Sequence, residues 1–247
     1  MFRRRNSPGC LVIGLAVAAV LLGCVNKEPM ALQTAAPSAP DQLPTVQVTT
    51  IRLTAQPTPT PWILEPFFDS SITLQSAPLE VPLELQIPAL NVNAPILAVG
   101  LNLENEMDAP KGPIEDPIWQ TAFWYRGSSI PGNPGTATLA GHVNNPLGDP
   151  MIFAHLERLD PGDLIIVHLK NTSTDISFTV DEVKVYSLAE TSDPAVLARI
   201  FGAGPMAGTL PQPAPDGLAH LTLITCAGKV TNGEYDQHTV VYATRTQ

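Results

Sequence analysis

A change of texture at Pro82 sets the limits on this fold. Downstream of it the chain breaks into short runs of Val, Ile, Leu and Thr separated by Pro, Gly, Asn and Asp. Runs this short and β-branched, punctuated by turn formers, read as strands. Strands are predicted over Leu83 to Ile87, Ile96 to Leu101, Thr136 to Gly141, Asp163 to Leu169, Ile176 to Tyr186, Ala219 to Cys226 and Thr239 to Thr244. Two segments read as helical. One is Pro150 to Leu159; the other is Asp193 to Phe201, with Asp193 as N-cap and Pro194 at the first helical position. Many strands and few helices predict a mostly β domain, a small barrel or a sandwich. Gly202 to Gly217 carries four prolines and four glycines without periodicity. It is expected to be a long loop of the kind that serves as a lid or binding edge.

Upstream the composition is unsuited to a core. From Asn26 to about Pro82 the chain is rich in Pro, Thr, Ser, Ala and Gln, and Gln56 to Pro61 alternates proline as an extended spacer does. A stalk over residues 24–81 is expected, because so little apolar surface cannot offset the entropy of ordering. Trp62 to Phe68 is more apolar and could dock on the domain. Before the stalk, Arg3, Arg4 and Arg5 precede an uncharged apolar run from Cys10 to Gly23. At 1.5 Å per residue that run spans roughly 21 Å, short of a ~30 Å hydrocarbon core, which fits an export signal over residues 1–23. Leu21-Leu22-Gly23-Cys24 resembles a bacterial lipobox, which implies cleavage before Cys24 and lipid on its sulfur. An uncleaved membrane anchor is the alternative. Either way the remainder is expected outside the membrane, on the outer face of the cytoplasmic membrane. The net charge of −10 argues against a nucleic-acid partner.

Three cysteines are present: Cys10, Cys24 and Cys226. Processing would leave Cys226 as the one free thiol. Exported chains ordinarily pair their cysteines, so a lone thiol is either buried and inert or reactive. Cys226 ends Leu221-Thr222-Leu223-Ile224-Thr225-Cys226, and His142 ends the apolar run Ala137-Thr138-Leu139-Ala140-Gly141. A thiol needs a nearby base or cation to become a nucleophile, and two strand-end residues can meet at one rim of a barrel. Four other histidines are present, and spacing alone does not choose among them: His155, His168, His220 and His238. Cys and His are too scattered for a metal site, and no cofactor is expected.

The strand ending at Cys226 resembles the one that carries the catalytic Cys of sortases. Pro131-Gly132-Asn133-Pro134-Gly135-Thr136-Ala137-Thr138-Leu139-Ala140-Gly141-His142 is similar to the segment that carries their catalytic His. Phe123-Trp124-Tyr125-Arg126 resembles a motif of the class D, E and F branches, and Leu159-Asp160-Pro161-Gly162-Asp163 resembles a turn that follows in the family. The four blocks stand in family order, and the resemblance covers Leu83 to the C-terminus. It implies an eight-stranded β-barrel with one or two short helices and a membrane-anchored cysteine transpeptidase. Cys226 would attack the amide of a C-terminal sorting motif in a surface protein and form a thioester. An amine acceptor, from peptidoglycan or a pilin lysine, would resolve it, and His142 would move the protons. Thr225, Ile224 and Asn144 are the candidate substrate-binding residues.

One part of the family pattern is missing. Sortases carry an Arg on the strand after the Cys strand, where it holds substrate and steadies the oxyanion. Here the matching slots hold His238 or, two residues earlier, Asp236. Arg245 lies seven residues from His238, on the opposite face and roughly 23 Å along the strand. His238 is therefore expected to replace the Arg as a weaker, pH-dependent donor. Lys229 and Arg126 are other candidate cations. The alternative is a sortase-fold surface protein with weak or lost activity that binds peptides.

Overall fold

The computed structural model describes residues 74–75, 77–202, 214–231 and 233–246. The signal segment with Cys10 and Cys24, the stalk through residue 73 with its Trp62 to Phe68 patch, and residues 203–213 of the long loop lie outside the described residues. Eight strands close into a barrel: β1 (Leu79–Ile87), β2 (Val92–Val99), β3 (Ala122–Tyr125), β4 (Gly135–Gly141), β5 (Leu164–Leu169), β6 (Asp175–Ser187), β7 (Ala219–Thr231) and β8 (Glu234–Arg245). Their order around the barrel is β1-β2-β3-β4-β7-β8-β6-β5, and β5 pairs back onto β1. Two pairs are parallel, β2 with β3 and β4 with β7; the other contacts are antiparallel. Two helices follow β6: α1 (Leu188–Thr191) and α2 (Pro194–Phe201).

Alternation along the strands builds two apolar layers. Leu83, Leu85, Leu139, Leu221, Leu223 and Val241 point inward and are fully buried in the barrel core. The opposite phase of neighbouring strands supplies Tyr125, Val240 and Tyr242, which pack outside the barrel against Ile200 and Phe201 of α2. Helix α2 is fixed by its Asp193 cap, which accepts from the Ala195 and Val196 amides, and by Thr138, whose buried hydroxyl donates to the Ile200 carbonyl at 2.8 Å.

Three expectations change. Strand β3 escaped notice because its four residues are too few to show a period and include no β-branched side chain. Ala122 and Trp124 enter the core while Tyr125 lies beneath α2, so both faces are covered. Helix α1 is additional; Ser187 and Glu190 form a reciprocal capping box that starts it. The helix expected over Pro150 to Leu159 is absent, and only a 3₁₀ turn over Leu156–Arg158 forms there. The buried residues Ile152, Phe153, Leu156 and Leu159 imitate helical spacing. However, the amides of Met151 and Phe153 donate to the carbonyls of Val143 and His142, which fastens the segment to the chain leaving β4.

Candidate active site

The registers bring the candidate residues into one row. Cys226 on β7 lies directly opposite His238 on β8, and His238 lies opposite Tyr186 on β6. On the other side of β7, Ala140 is level with Ile224. His142 follows Ala140 by two residues, as Cys226 follows Ile224, so the same register sets His142 level with Cys226. Residues side by side on neighbouring strands share a face. That face is the outer one, continuous with Ile224, Val240 and Tyr242 in the layer under α2.

Thr225, between Ile224 and Cys226, has the inward phase and is buried. Its hydroxyl donates to the Gly141 carbonyl at 2.8 Å, locking β7 to β4 one residue before both Cys226 and His142. Ile224 is half-buried in the outer layer. Asn144 lies just past His142 and forms a bridge with Pro150. Immediately after Cys226, β7 bulges between Ala227 and Val230. Gly228 takes φ 82° there, and the Lys229 amide donates to Asp236 at 2.7 Å. Asp236, one of the two slots for the family Arg, thus serves as acceptor for this bulge. A cavity of about 310 Å³ opens beside Cys226, lined also by Val143, Phe153, Thr225, Tyr235 and Gln237.

The connection from β2 to β3 contributes groups that the sequence did not single out. His142 Nε2 donates to the Pro110 carbonyl at 2.9 Å. The carbonyl can only accept, so the proton of neutral His142 sits on Nε2 and Nδ1 is the basic nitrogen. The Trp119 ring lies tilted against the His142 ring with centroids 4.6 Å apart, and Phe123 of β3 meets it edge-on at 5.4 Å. Desolvation by these groups pushes the His142 pKa down; the Pro110 hydrogen bond opposes this and the charge of Lys111 adds to it. Cys226 is exposed, yet its surroundings remove enough water that desolvation pushes its thiol up, against the opposing charge of Lys111. His238 is pushed down by desolvation and partly restored by Glu106. At neutral pH the row therefore holds a protonated thiol and neutral imidazoles.

His238 Nδ1 lies 3.4 Å from Thr191 Oγ1, and that hydroxyl donates to the Leu188 carbonyl at 3.0 Å. The oxygen then accepts from Nδ1–H, and a second donor at Nε2 exists only in the imidazolium. None of the four arginines among the described residues replaces it. Arg126 donates to the Ala77 carbonyl, Arg158 approaches Glu157 and Arg199 pairs with Glu182 while lying over the Tyr242 ring. Arg245 donates to the Gly132 carbonyl at the far end of β8.

The closed β-barrel thus carries a thiol on β7, with His238 opposite it on β8 and His142 just past the end of β4. The sequence model of the sortase domain matches residues 85–246, more than half of the chain, and the protein belongs to the sortase family of cysteine transpeptidases. Among solved structures, a lid mutant of sortase A from Corynebacterium diphtheriae is 18% identical, with a TM-score of 0.46 over 70% of this chain and 73% of that one. Sortase C-1 from Actinomyces oris is 21% identical, with a TM-score of 0.44 over 68% and 75%. A Clostridium perfringens sortase D5 transpeptidase is 17% identical, with a TM-score of 0.44 over 67% and 78%. A search of the curated proteins found no match.

Proposed function

We propose that Cys226 is the nucleophile of a surface transpeptidase, with His142 as its proton carrier and His238 as the oxyanion donor. The observation that carries this reading is the register that sets the three side chains in one row on one face. The Cys226 sulfur attacks the carbonyl of a sorting-motif amide; the S–C bond forms and the thiol proton passes to His142 Nδ1. The tetrahedral intermediate collapses with cleavage of the C–N bond, and His142 returns the proton to the leaving amine. An acceptor amine then attacks the thioester and loses a proton to His142; the C–S bond breaks, and the Cys226 sulfur takes that proton back from His142. Ile224 and Asn144 flank the row on the substrate side, and the inward-facing Thr225 holds Cys226 in place from the opposite face. Phe123-Trp124-Tyr125-Arg126 supports a place among the class D, E and F branches.

Export and lipid attachment at Cys24 belong to the same reading, with an uncleaved anchor as the alternative. Their support is the Arg3-Arg4-Arg5 cluster, the uncharged run and Leu21-Leu22-Gly23-Cys24. Among the described residues no helix is long and apolar enough to cross a membrane.

The test is cleavage of fluorogenic peptides of varied sorting motif, with and without an amine acceptor. Cleavage lost in Cys226→Ala and accelerated by amine is expected. A second reading, a peptide-binding module with little activity, draws on the engagement of every described arginine elsewhere. Binding without cleavage across the panel would favour it.

A further inference from the structure

The site lacks the Arg of its family, yet a lysine directly follows the residue whose carbonyl holds His142. The segment between β2 and β3 crosses the outer face of the row and is held there along its length. Asp108 donates its amide to Gly100, and Met107 forms a bridge with Leu101 and packs into the layer that includes Ile224 and Tyr186. Further on, Trp119 Nε1 donates to the Pro113 carbonyl at 2.8 Å while its ring lies against His142. Gly112 leaves no room for a side chain, because a Cβ there would come within 2.7 Å of Asp116. Between these fastenings, Pro110 reaches His142 with its carbonyl, and Lys111 is the next residue. Lys111 is exposed and forms no ion pair among the described residues.

We propose that this strap is the electrostatic partner of the nucleophile: the Pro110 carbonyl fixes the tautomer of His142, and Lys111 supplies beside Cys226 the positive charge that sortases draw from their Arg. Lys111 is thus a positioning residue that acts through the thiol and the imidazole.

The other charged or titratable groups do not supply this charge. His142 and His238 flank the thiol as neutral rings, with Tyr186 beyond His238. Glu106 faces His238 and carries the wrong sign. On the cavity side stand Glu157 and Tyr235, neither of them cationic at neutral pH. Lys229, likewise exposed, sits in the bulge where its backbone amide binds the Asp236 carboxylate, and Lys229→Gln should leave the alkylation profile of Cys226 unchanged. Lys111 is one residue from the carbonyl that holds His142 at 2.9 Å, and a positive charge placed there favours thiolate on Cys226 and the neutral ring on His142. Both effects prepare a base and a nucleophile, which is the work of a cation in a thiol site.

The inference rests on the transpeptidase reading only for its purpose; its test needs no substrate. The full chain is alkylated with iodoacetamide across pH 6 to 10, and modification is read by mass spectrometry on the peptide that contains Cys226. Lys111→Gln should slow alkylation at neutral pH about threefold to tenfold and move the profile to higher pH. Lys111→Arg should restore it, and high salt should narrow the gap between wild type and Lys111→Gln. An unchanged profile in Lys111→Gln, or the same displacement in both variants, would overturn the proposal. If no peptide is ever cleaved but the profile moves as stated, the transpeptidase reading fails and the inference about Lys111 stands.

Discussion

Thr225→Val removes one hydroxyl from the junction on which the whole row depends. Thr225 Oγ1 donates to the Gly141 carbonyl at 2.8 Å, and the residue is only 5% exposed, so water cannot replace the bond. Valine has nearly the same shape, which leaves the packing intact and isolates the polar term. Loss of a buried hydrogen bond costs about 1 kcal/mol net, and a stranded carbonyl raises that to about 1–3 kcal/mol. The added methyl returns some of this through apolar burial, about 0.8 kcal/mol at most. The expected loss of stability is therefore about 1–2 kcal/mol. With a urea m-value of about 1–3 kcal/mol/M, the unfolding midpoint should fall by about 0.3–2 M. Thr225→Ser keeps the donor and should lose less. Because Gly141 leads into His142 and Thr225 leads into Cys226, peptide cleavage should fall about tenfold or more in the valine variant and less in the serine variant. A valine variant as stable and as active as wild type would refute the claim that this bond sets the spacing of the row.

Three further outcomes follow from the same geometry. Only the imidazolium of His238 has a free N–H for the oxyanion, so His238→Ala should lower kcat/KM by about 10²–10³ on the acid side of pH 6.5 and progressively less above it, whereas His238→Arg should retain activity and flatten its decline between pH 6 and 8. Turnover unchanged in His238→Ala on that acid side would remove the donor role. Burial holds the pKa of both His142 and His238 below the ordinary value, so the unfolded chain binds more protons than the fold in the window just below pH 6.5. Stability should thus be complete above about pH 6.5 and fall on acidification toward the depressed values. His238→Gln should lessen that slope in urea titrations at pH 7.5 and 5.5. Gly228→Ala should destabilise by about 1–2 kcal/mol from its left-handed φ alone. It should also disturb the bulge after Cys226, since a Cβ would meet Asp236 at 2.1 Å; reduced cleavage with a lowered melting temperature is the expected result.

The barrel was legible because its strands are β-branched runs bounded by turn formers, as along β7 from Ala219 to Cys226 and β8 from Thr239 to Thr244, even where Thr239 to Ala243 are buried on both faces. The α2 start was legible because Asp193 and Pro194 announce it locally. Strand β3 was not, since its four residues, Ala122 to Tyr125, are too few to show a period and include no β-branched side chain. The segment after Pro150 misled because apolar spacing reports burial, while its backbone donors were already engaged by the chain leaving β4. Cys226 and His142 stood out as strand-end residues with reactive chemistry. Pro110 and Lys111 did not, because a backbone acceptor carries no side-chain signature and a lone lysine in a loop resembles any solvated charge. Only the contact of the Pro110 carbonyl with His142 connects this segment to the site.

The central claim is that the carbonyl carbon of a sorting motif becomes bonded to Cys226. Intact-mass spectrometry after rapid acid quench of the enzyme with a cleavable peptide tests it most directly. The account predicts an adduct of the acyl fragment's mass that maps to Cys226, is released by hydroxylamine, and is absent in Cys226→Ala. Cleavage that persists in Cys226→Ala, or an adduct carried by another residue, would contradict it.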